Sequence, residues 1–169
     1  MDVAEFGKLV HWDAAAAGRL VGAAASQSTD QPINQSTNLP ALHHAISLYR
    51  GPFLEDLALA DGVGFEEWAA VQRERLHRLM LAALRQLATR HEASGEMEEA
   101  LGCVWRQLEL DPWLEEAHFA AMRLLAGAGR RSEALAQYDR CRRLLASELG
   151  VEPATATTRL YQQIREDKR

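Results

Sequence analysis

The chain has 169 residues, of which 47% are hydrophobic and 25% charged, and these values are ordinary for one globular domain. Its formal net charge of −5 removes the general electrostatic attraction for nucleic acid that a basic domain has. Two isolated cysteines, Cys103 and Cys141, predict reduced thiols in a cytoplasmic protein, and no apolar run reaches the roughly 18 residues that a membrane span needs.

The first half of the chain predicts three helices separated by breaks. Residues 2–25 predict an alanine-rich helix, and residues 26–38 predict a flexible loop because they are short, polar and interrupted by proline. A second helix is expected to begin near Pro40 and to end before Gly51. Apolar residues at helical spacing predict a long third helix over 65–94. Its inward side chains are expected to be Trp68, Val71, Leu76, Leu79, Met80, Leu84 and Leu87.

The second half of the chain repeats itself after 34 residues, which is the tetratricopeptide period. The shift superimposes Gly95 on Gly129, Glu99 on Glu133, Ala100 on Ala134, Leu101 on Leu135, Arg106 on Arg140 and Leu110 on Leu144. Glycine suits a tight turn between antiparallel helices, and alanine lets the two helices of a pair approach closely. The pattern therefore predicts an all-α, tetratricopeptide-like helical repeat stack.

The period also sets the expected boundaries of the repeats. One repeat is predicted over 81–114 and the next over 115–148, with Asp111 and Pro112 opening the helix between them. A last helix over 153–167 is expected to cap the stack. Because two repeats bury little surface alone, extra N-terminal helices are expected to complete a single domain over 1–169.

Several short motifs extend along most of the chain in a characteristic order. They are Leu48-Tyr49-Arg50-Gly51 with Phe53-Leu54, Trp68, Arg73 and Leu76, Leu110-Asp111-Pro112 with Glu115, Ala117 and His118, Met122, Gly129-Arg130, Ala134-Leu135, Tyr138 and Glu148-Leu149-Gly150-Val151-Glu152-Pro153. With them, the chain resembles the bacterial transcriptional activator domain of antibiotic-pathway regulators and related large regulatory ATPases. The segment Asp2-Val3-Ala4-Glu5-Phe6 is similar to the start of that domain, which in the family directly follows a winged-helix DNA-binding domain.

Register on the first helix of each repeat suggests a protein-binding groove. It places five side chains on the concave side, where charged groups and one aromatic ring could clamp an extended peptide or a neighbouring domain. The five are Arg85, Thr89, Glu116, Phe119 and Arg123. The alternative is that the N-terminal helices fold back and fill this groove.

Other candidate sites have simpler explanations. No nucleotide-binding, nucleophile-elbow or zinc-protease motif occurs, so no enzyme, metal or cofactor is expected. The adjacent His43 and His44 point about 100° apart on a helix and are expected at the surface. Tryptophan is expected in the core at positions 68, 105 and 113. Five arginines keep a nucleic-acid hypothesis open beside that of a solvated helix face; they are Arg130, Arg131, Arg140, Arg142 and Arg143.

The resemblance implies a protein-interaction module that couples a winged-helix DNA-binding domain, absent from this chain, to transcription activation or oligomerisation. Its expected partners are that domain, the transcription machinery or a second copy in a homodimer, without specific DNA binding or membrane contact. One alternative is a tetratricopeptide adaptor that binds peptides and has no part in transcription. Another is a regulatory piece of a multidomain ATPase.

Overall fold

A computed structural model describes residues 39–49 and 63–167 of the chain. This part is all-α, as predicted, and contains six helices and no strand. The predicted helix over 2–25 and the predicted loop over 26–38 lie outside it. Within it, no helix combines the length and the hydropathy that crossing a membrane requires. The helices are α1 (Leu39–Leu48), α2 (Val63–Ala93), α3 (Met97–Leu110), α4 (Glu115–Gly127), α5 (Arg131–Leu144), which continues into a π-helical turn at Leu145–Leu149, and α6 (Thr155–Glu166).

The chain divides into two compact units, Met1–Ala83 and Leu84–Arg169. In the first unit, the buried stripe of α2 consists of Ala69, Leu76, Met80 and Ala83, which follow one another at helical spacing. The expectation that Trp68 and Val71 point inward is wrong, since they are 49% and 63% exposed. Adjacent helical positions differ by about 100°, so burial of Ala69 turns Trp68 toward the flank and Val71 outward.

The second unit is a stack in which each helix contacts its neighbour in sequence from α3 to α6, and α6 also contacts α4. Its buried residues are mostly small or aliphatic, including Ala100, Leu101, Val104, Ala117, Ala121, Met122, Leu125, Ala134 and Cys141. Ala100 and Ala134 have no exposed surface, as expected of close-approach positions between paired helices. Four buried polar residues complete this core: Gln107, His118, Gln137 and Thr157.

The two turns that join paired helices have the same backbone geometry, 34 residues apart. Gly95 and Gly129 adopt φ values of 79° and 75°, in the left-handed region that glycine tolerates best. In each turn the glycine N–H donates to the carbonyl three residues back, and the next N–H donates to the carbonyl five residues back. This is the Schellman arrangement, which satisfies the last carbonyls of the preceding helix. The predicted role of the two glycines is confirmed.

The side chain of Asp111 stabilises the turn that precedes α4 and is not the N-cap of that helix. Its carboxylate accepts a hydrogen bond of 3.1 Å from the backbone N–H of Trp113, and α4 begins only at Glu115. A short aspartate side chain favours such a turn with the amide two residues ahead. The predicted start of the helix at Asp111-Pro112 was therefore too early.

The last helix is held at both ends by side chains from two other helices. Glu115 of α4 accepts a 2.7 Å hydrogen bond from the backbone N–H of Ala154, just before α6. At the other end, Arg131 of α5 donates to the carbonyls of Ile164 and Arg165 at 2.9 Å and 2.6 Å. Both contacts satisfy backbone groups that a helix end leaves without an internal partner.

Candidate functional site

A cavity of about 190 Å³ lies within the second unit, between the end of α2, the middle of α3 and one face of α4. We call it the groove. Two of its ten lining side chains are aliphatic, two are alanine, and the other six are polar or charged. The lining consists of Arg85, Ala88, Thr89, Glu92, Val104, Gln107, Glu116, Ala120, Arg123 and Leu124.

Four of the five side chains predicted from register lie in this groove: Arg85, Thr89, Glu116 and Arg123. Phe119 is partly buried and is absent from the lining. On α4 the lining positions 116, 120 and 123 follow helical spacing, whereas position 119 is rotated by about 100° from position 120. The aromatic contribution expected of Phe119 is therefore missing from the groove wall.

Both predicted arginines of the groove are paired with carboxylates of the same chain. Arg85 lies 3.6 Å from Glu116, which joins α2 to α4. Arg123 makes a two-pronged ion pair with Glu92, in which Nη2 donates to Oε2 at 2.7 Å and Nη1 to Oε1. The Thr89 hydroxyl donates to the Arg85 carbonyl at 3.0 Å, within its own helix. The groove walls thus carry cations and anions in equal number.

Two polar residues of the lining, Glu92 and Gln107, were not predicted from the sequence. Glu92 follows Arg85 by seven positions on the same helix, so the helical period that selected Arg85 and Thr89 could also have selected it. Gln107 lies on the second helix of its pair, which register alone assigns to the other side of a repeat. Only the packed structure places its side chain at the groove floor.

A second, more open cavity of about 580 Å³ lies at the end of α5. It is lined by Arg140, Arg143, Leu144, Ala146 and Ser147. The five arginines that the sequence suggested as a basic cluster have different surroundings in the structure. Arg130 pairs with Glu133 and Glu98, and Arg131 holds α6, whereas positions 140, 142 and 143 are exposed. Basic residues in the last turn of a helix interact favourably with its dipole, which gives their position a structural cause.

The remaining candidates from the sequence occupy ordinary structural positions. Cys103 and Cys141 are buried, and burial raises the pKa of both thiols, that of Cys141 to about 11. Both therefore stay protonated at neutral pH and pack as small apolar side chains. The expected burial of Trp113 is wrong, since its side chain is exposed, and Trp105 is only partly buried. Among the described residues, no group of three histidine, cysteine or acidic side chains could hold a metal ion.

The helical hairpins and their repeated glycine turns define an all-α, tetratricopeptide-like fold. The family model described as the bacterial transcriptional activator domain matches residues 12–165. The chain belongs to this family, as the sequence motifs indicated. Searches of curated proteins and of solved structures give no match.

Proposed function

We propose that this chain is the protein-interaction module of a bacterial transcriptional regulator. It would couple a winged-helix DNA-binding domain to transcription activation or to oligomerisation, in the cytoplasm where bacterial genes are transcribed. The observation that carries the proposal is the family match over residues 12–165. The module acts by binding alone, without catalysis and without reading DNA sequence itself.

The groove is the surface we assign to this binding. Ion pairs between α2 and α4 join the charged groups on its walls, so the walls offer groups of both signs to a partner. The partner is the adjoining DNA-binding domain, the transcription machinery or a second copy of the chain. We further propose that residues 1–169 act as one domain, with repeats over 81–114 and 115–148 and a cap over 153–167.

Thr89→Trp in the intact regulator tests the assignment. Thr89 is exposed and lines the groove, so the indole fills the cavity without displacing core atoms. Ala136→Trp, at an exposed position of α5 outside the groove lining, is the matched control. We expect Thr89→Trp to abolish activation of a promoter reporter and Ala136→Trp to leave it intact.

Thermal melting of the isolated chain completes the test. Both variants should melt close to the wild type, because exposed substitutions usually change stability by no more than about 0.5 kcal/mol. Full activation by Thr89→Trp would show that the groove is not the working surface. A general peptide-binding adaptor without a part in transcription would bind partners through the groove but leave the reporter silent in every variant.

A further inference from the structure

Gln107 is a buried side chain at the groove with an unused hydrogen-bond donor. It is only 3% exposed, it lines the cavity, and its Nε2 has no acceptor among the described residues. Every other polar side chain in the lining has a partner within the chain, through an ion pair or, for Thr89, a backbone carbonyl. Gln107 is thus the polar group of the groove that its own fold leaves unsatisfied.

The contrast with Gln137 shows that this core can satisfy a buried glutamine. Gln137 is equally enclosed, yet its Nε2 lies 2.6 Å from Nδ1 of His118. Buried amide groups normally find such partners, because leaving one unpaired loses the hydrogen bonds that it made to water. The unpaired amide nitrogen of Gln107, unlike the buried and unpaired Oε1 of Gln86, belongs to a side chain that lines this cavity between α2, α3 and α4.

Charge balance in the lining indicates the character of the occupant. Arg85 and Arg123 are each paired with a carboxylate of the chain, so the lining has no net charge. A charged ligand would have to compete with these pairs and be desolvated as well. A neutral group that offers a carbonyl oxygen does not compete with these pairs, and its desolvation costs less than that of a charge. The main chain of an extended peptide presents such carbonyls regularly, and one of them can accept a hydrogen bond from the side-chain amide of Gln107.

We propose that the groove binds an uncharged, extended segment of a partner protein, and that Gln107 recognises its backbone through the side-chain amide. Nε2 is itself enclosed in the present rotamer, and because the terminal torsion of glutamine is soft, a rotation of the amide that exchanges Nε2 and Oε1 would turn the nitrogen toward the cavity. The volume of about 190 Å³ restricts the contact to a short stretch of the partner. This inference rests on the proposed function, because it assigns a chemistry to the same groove.

A library of random octapeptides, acetylated and amidated at their ends, supplies the probe. Peptides are selected on the full chain and counter-selected on Thr89→Trp, in which the groove is blocked. The best binder is then titrated against wild type, Gln107→Leu and Gln137→Leu. In parallel, each backbone amide of the peptide is replaced by an ester in turn, which removes one N–H and weakens the neighbouring carbonyl as an acceptor.

We expect uncharged peptides to be selected, and one ester position to weaken binding to wild type about tenfold, as one lost hydrogen bond does. Gln107→Leu should bind the parent peptide about tenfold more weakly and be insensitive to that ester. Gln137→Leu should bind normally but melt at a lower temperature, because it leaves His118 without its partner. Gln107→Leu should melt no lower than wild type, and Gln107→Met serves in its place if the leucine variant does not fold.

Three results would overturn the inference. The first is that the selection yields no peptide whose binding depends on the groove. The second is that Gln107→Leu binds the parent peptide with wild-type affinity. The third is that the ester weakens binding equally in wild type and in Gln107→Leu. The reporter result with Thr89→Trp separates these from a failure of the proposed function. If Thr89→Trp silences the reporter but peptide binding does not depend on Gln107, only the recognition of the peptide backbone by Gln107 is rejected. If Thr89→Trp activates the reporter fully, the groove is rejected as the working surface.

Discussion

His118 and Gln137 join α4 to α5 through a buried hydrogen bond of 2.6 Å between Nδ1 and Nε2. The other ring nitrogen of His118 donates to the Pro112 carbonyl at 2.9 Å, so Nδ1 is the acceptor and the ring is neutral. Burial lowers the pKa of His118, and its effect outweighs the opposing contribution of the bond to Pro112. The fold therefore depends on an uncharged imidazole at this position.

Stability should fall when the medium becomes acidic enough to protonate this ring. Because the pKa of His118 is lower in the folded state, the unfolded chain binds more protons below its usual pKa of about 6.5, and stability rises with pH in that range. We expect the free energy of unfolding, measured by urea titration, to be level above about pH 6.5 and to decline below it, by at most about 1.4 kcal/mol per pH unit from this group. His118→Gln, which cannot be protonated, should lose this part of the decline. The same decline in both proteins would assign it to other groups.

Alanine at either turn glycine should destabilise the second unit. A Cβ at Gly95 or Gly129 meets no atom within 4 Å, so only the positive φ opposes it. For an L-residue this conformation costs about 1–2 kcal/mol. Gly102→Ala is the matched control, since it also has free space but lies inside α3, where alanine should stabilise by about 1 kcal/mol. Chemical unfolding of the three variants checks the signs; a stabilised Gly95→Ala or Gly129→Ala would contradict the turn geometry.

Tryptophan at Ala100 or Ala134 should destabilise the stack strongly. Both alanines are fully buried, and inserting a large ring into a close-packed core typically costs about 1–3 kcal/mol or more. Ala136→Trp on the exposed side of α5 provides the comparison at similar helix propensity. Melting midpoints of Ala100→Trp and Ala134→Trp that equal that of Ala136→Trp would refute their role as close-approach positions.

Removing the hydrogen-bond donors of Arg131 should destabilise the packing of α6 against α5. Arg131→Met keeps most of the aliphatic stem but leaves the carbonyls of Ile164 and Arg165 without these hydrogen bonds. We expect a loss of about 1–3 kcal/mol and faster amide hydrogen exchange in α6. Arg142→Met, at an exposed position on the same helix, should change stability by less than about 0.5 kcal/mol. Unchanged exchange in Arg131→Met would show that packing alone holds the helix.

Reversal of one groove charge should be repaired by reversal of its partner. Arg123→Glu places two carboxylates beside each other on the groove wall, and activation by the intact regulator should fall. The pair is partly exposed, so the change in stability should remain below about 1 kcal/mol. Adding Glu92→Arg restores the ion pair, and activation should return because the occupant is uncharged. A double variant that melts normally and stays inactive would show that the partner reads the charges themselves.

The sequence was most informative where one local interaction determines the structure. Gly95 and Gly129 could be assigned to turns because a left-handed residue after a helix is a local requirement. The outward position of Trp68 could not be obtained in the same way, since a helix of 31 residues permits several registers for its buried stripe. The register that the fold selects buries Ala69, whose small side chain gave little signal.

The groove shows the same limit. Helical spacing found Arg85 and Arg123, but Glu92 and Arg123 are 31 residues apart, and their pairing exists only once α2 and α4 are packed. Gln107 carried no signal at all, because neither its type nor its position in α3 distinguishes a buried amide from an exposed one. Local chemistry thus predicted the helices and turns, whereas the electrostatic state of the groove depended on tertiary contacts.

The two Schellman turns carry opposite charges on the same backbone. Glu96, after Gly95, hydrogen-bonds His91 Nδ1 at 2.6 Å, whereas Arg130, after Gly129, pairs with Glu133 at 2.7 Å. Since the main-chain bonds are equivalent in both turns, the backbone sets the direction in which each second helix leaves. The charges at positions 96 and 130 can therefore be changed by substitution without altering the path of the helices, which the glycine turns determine.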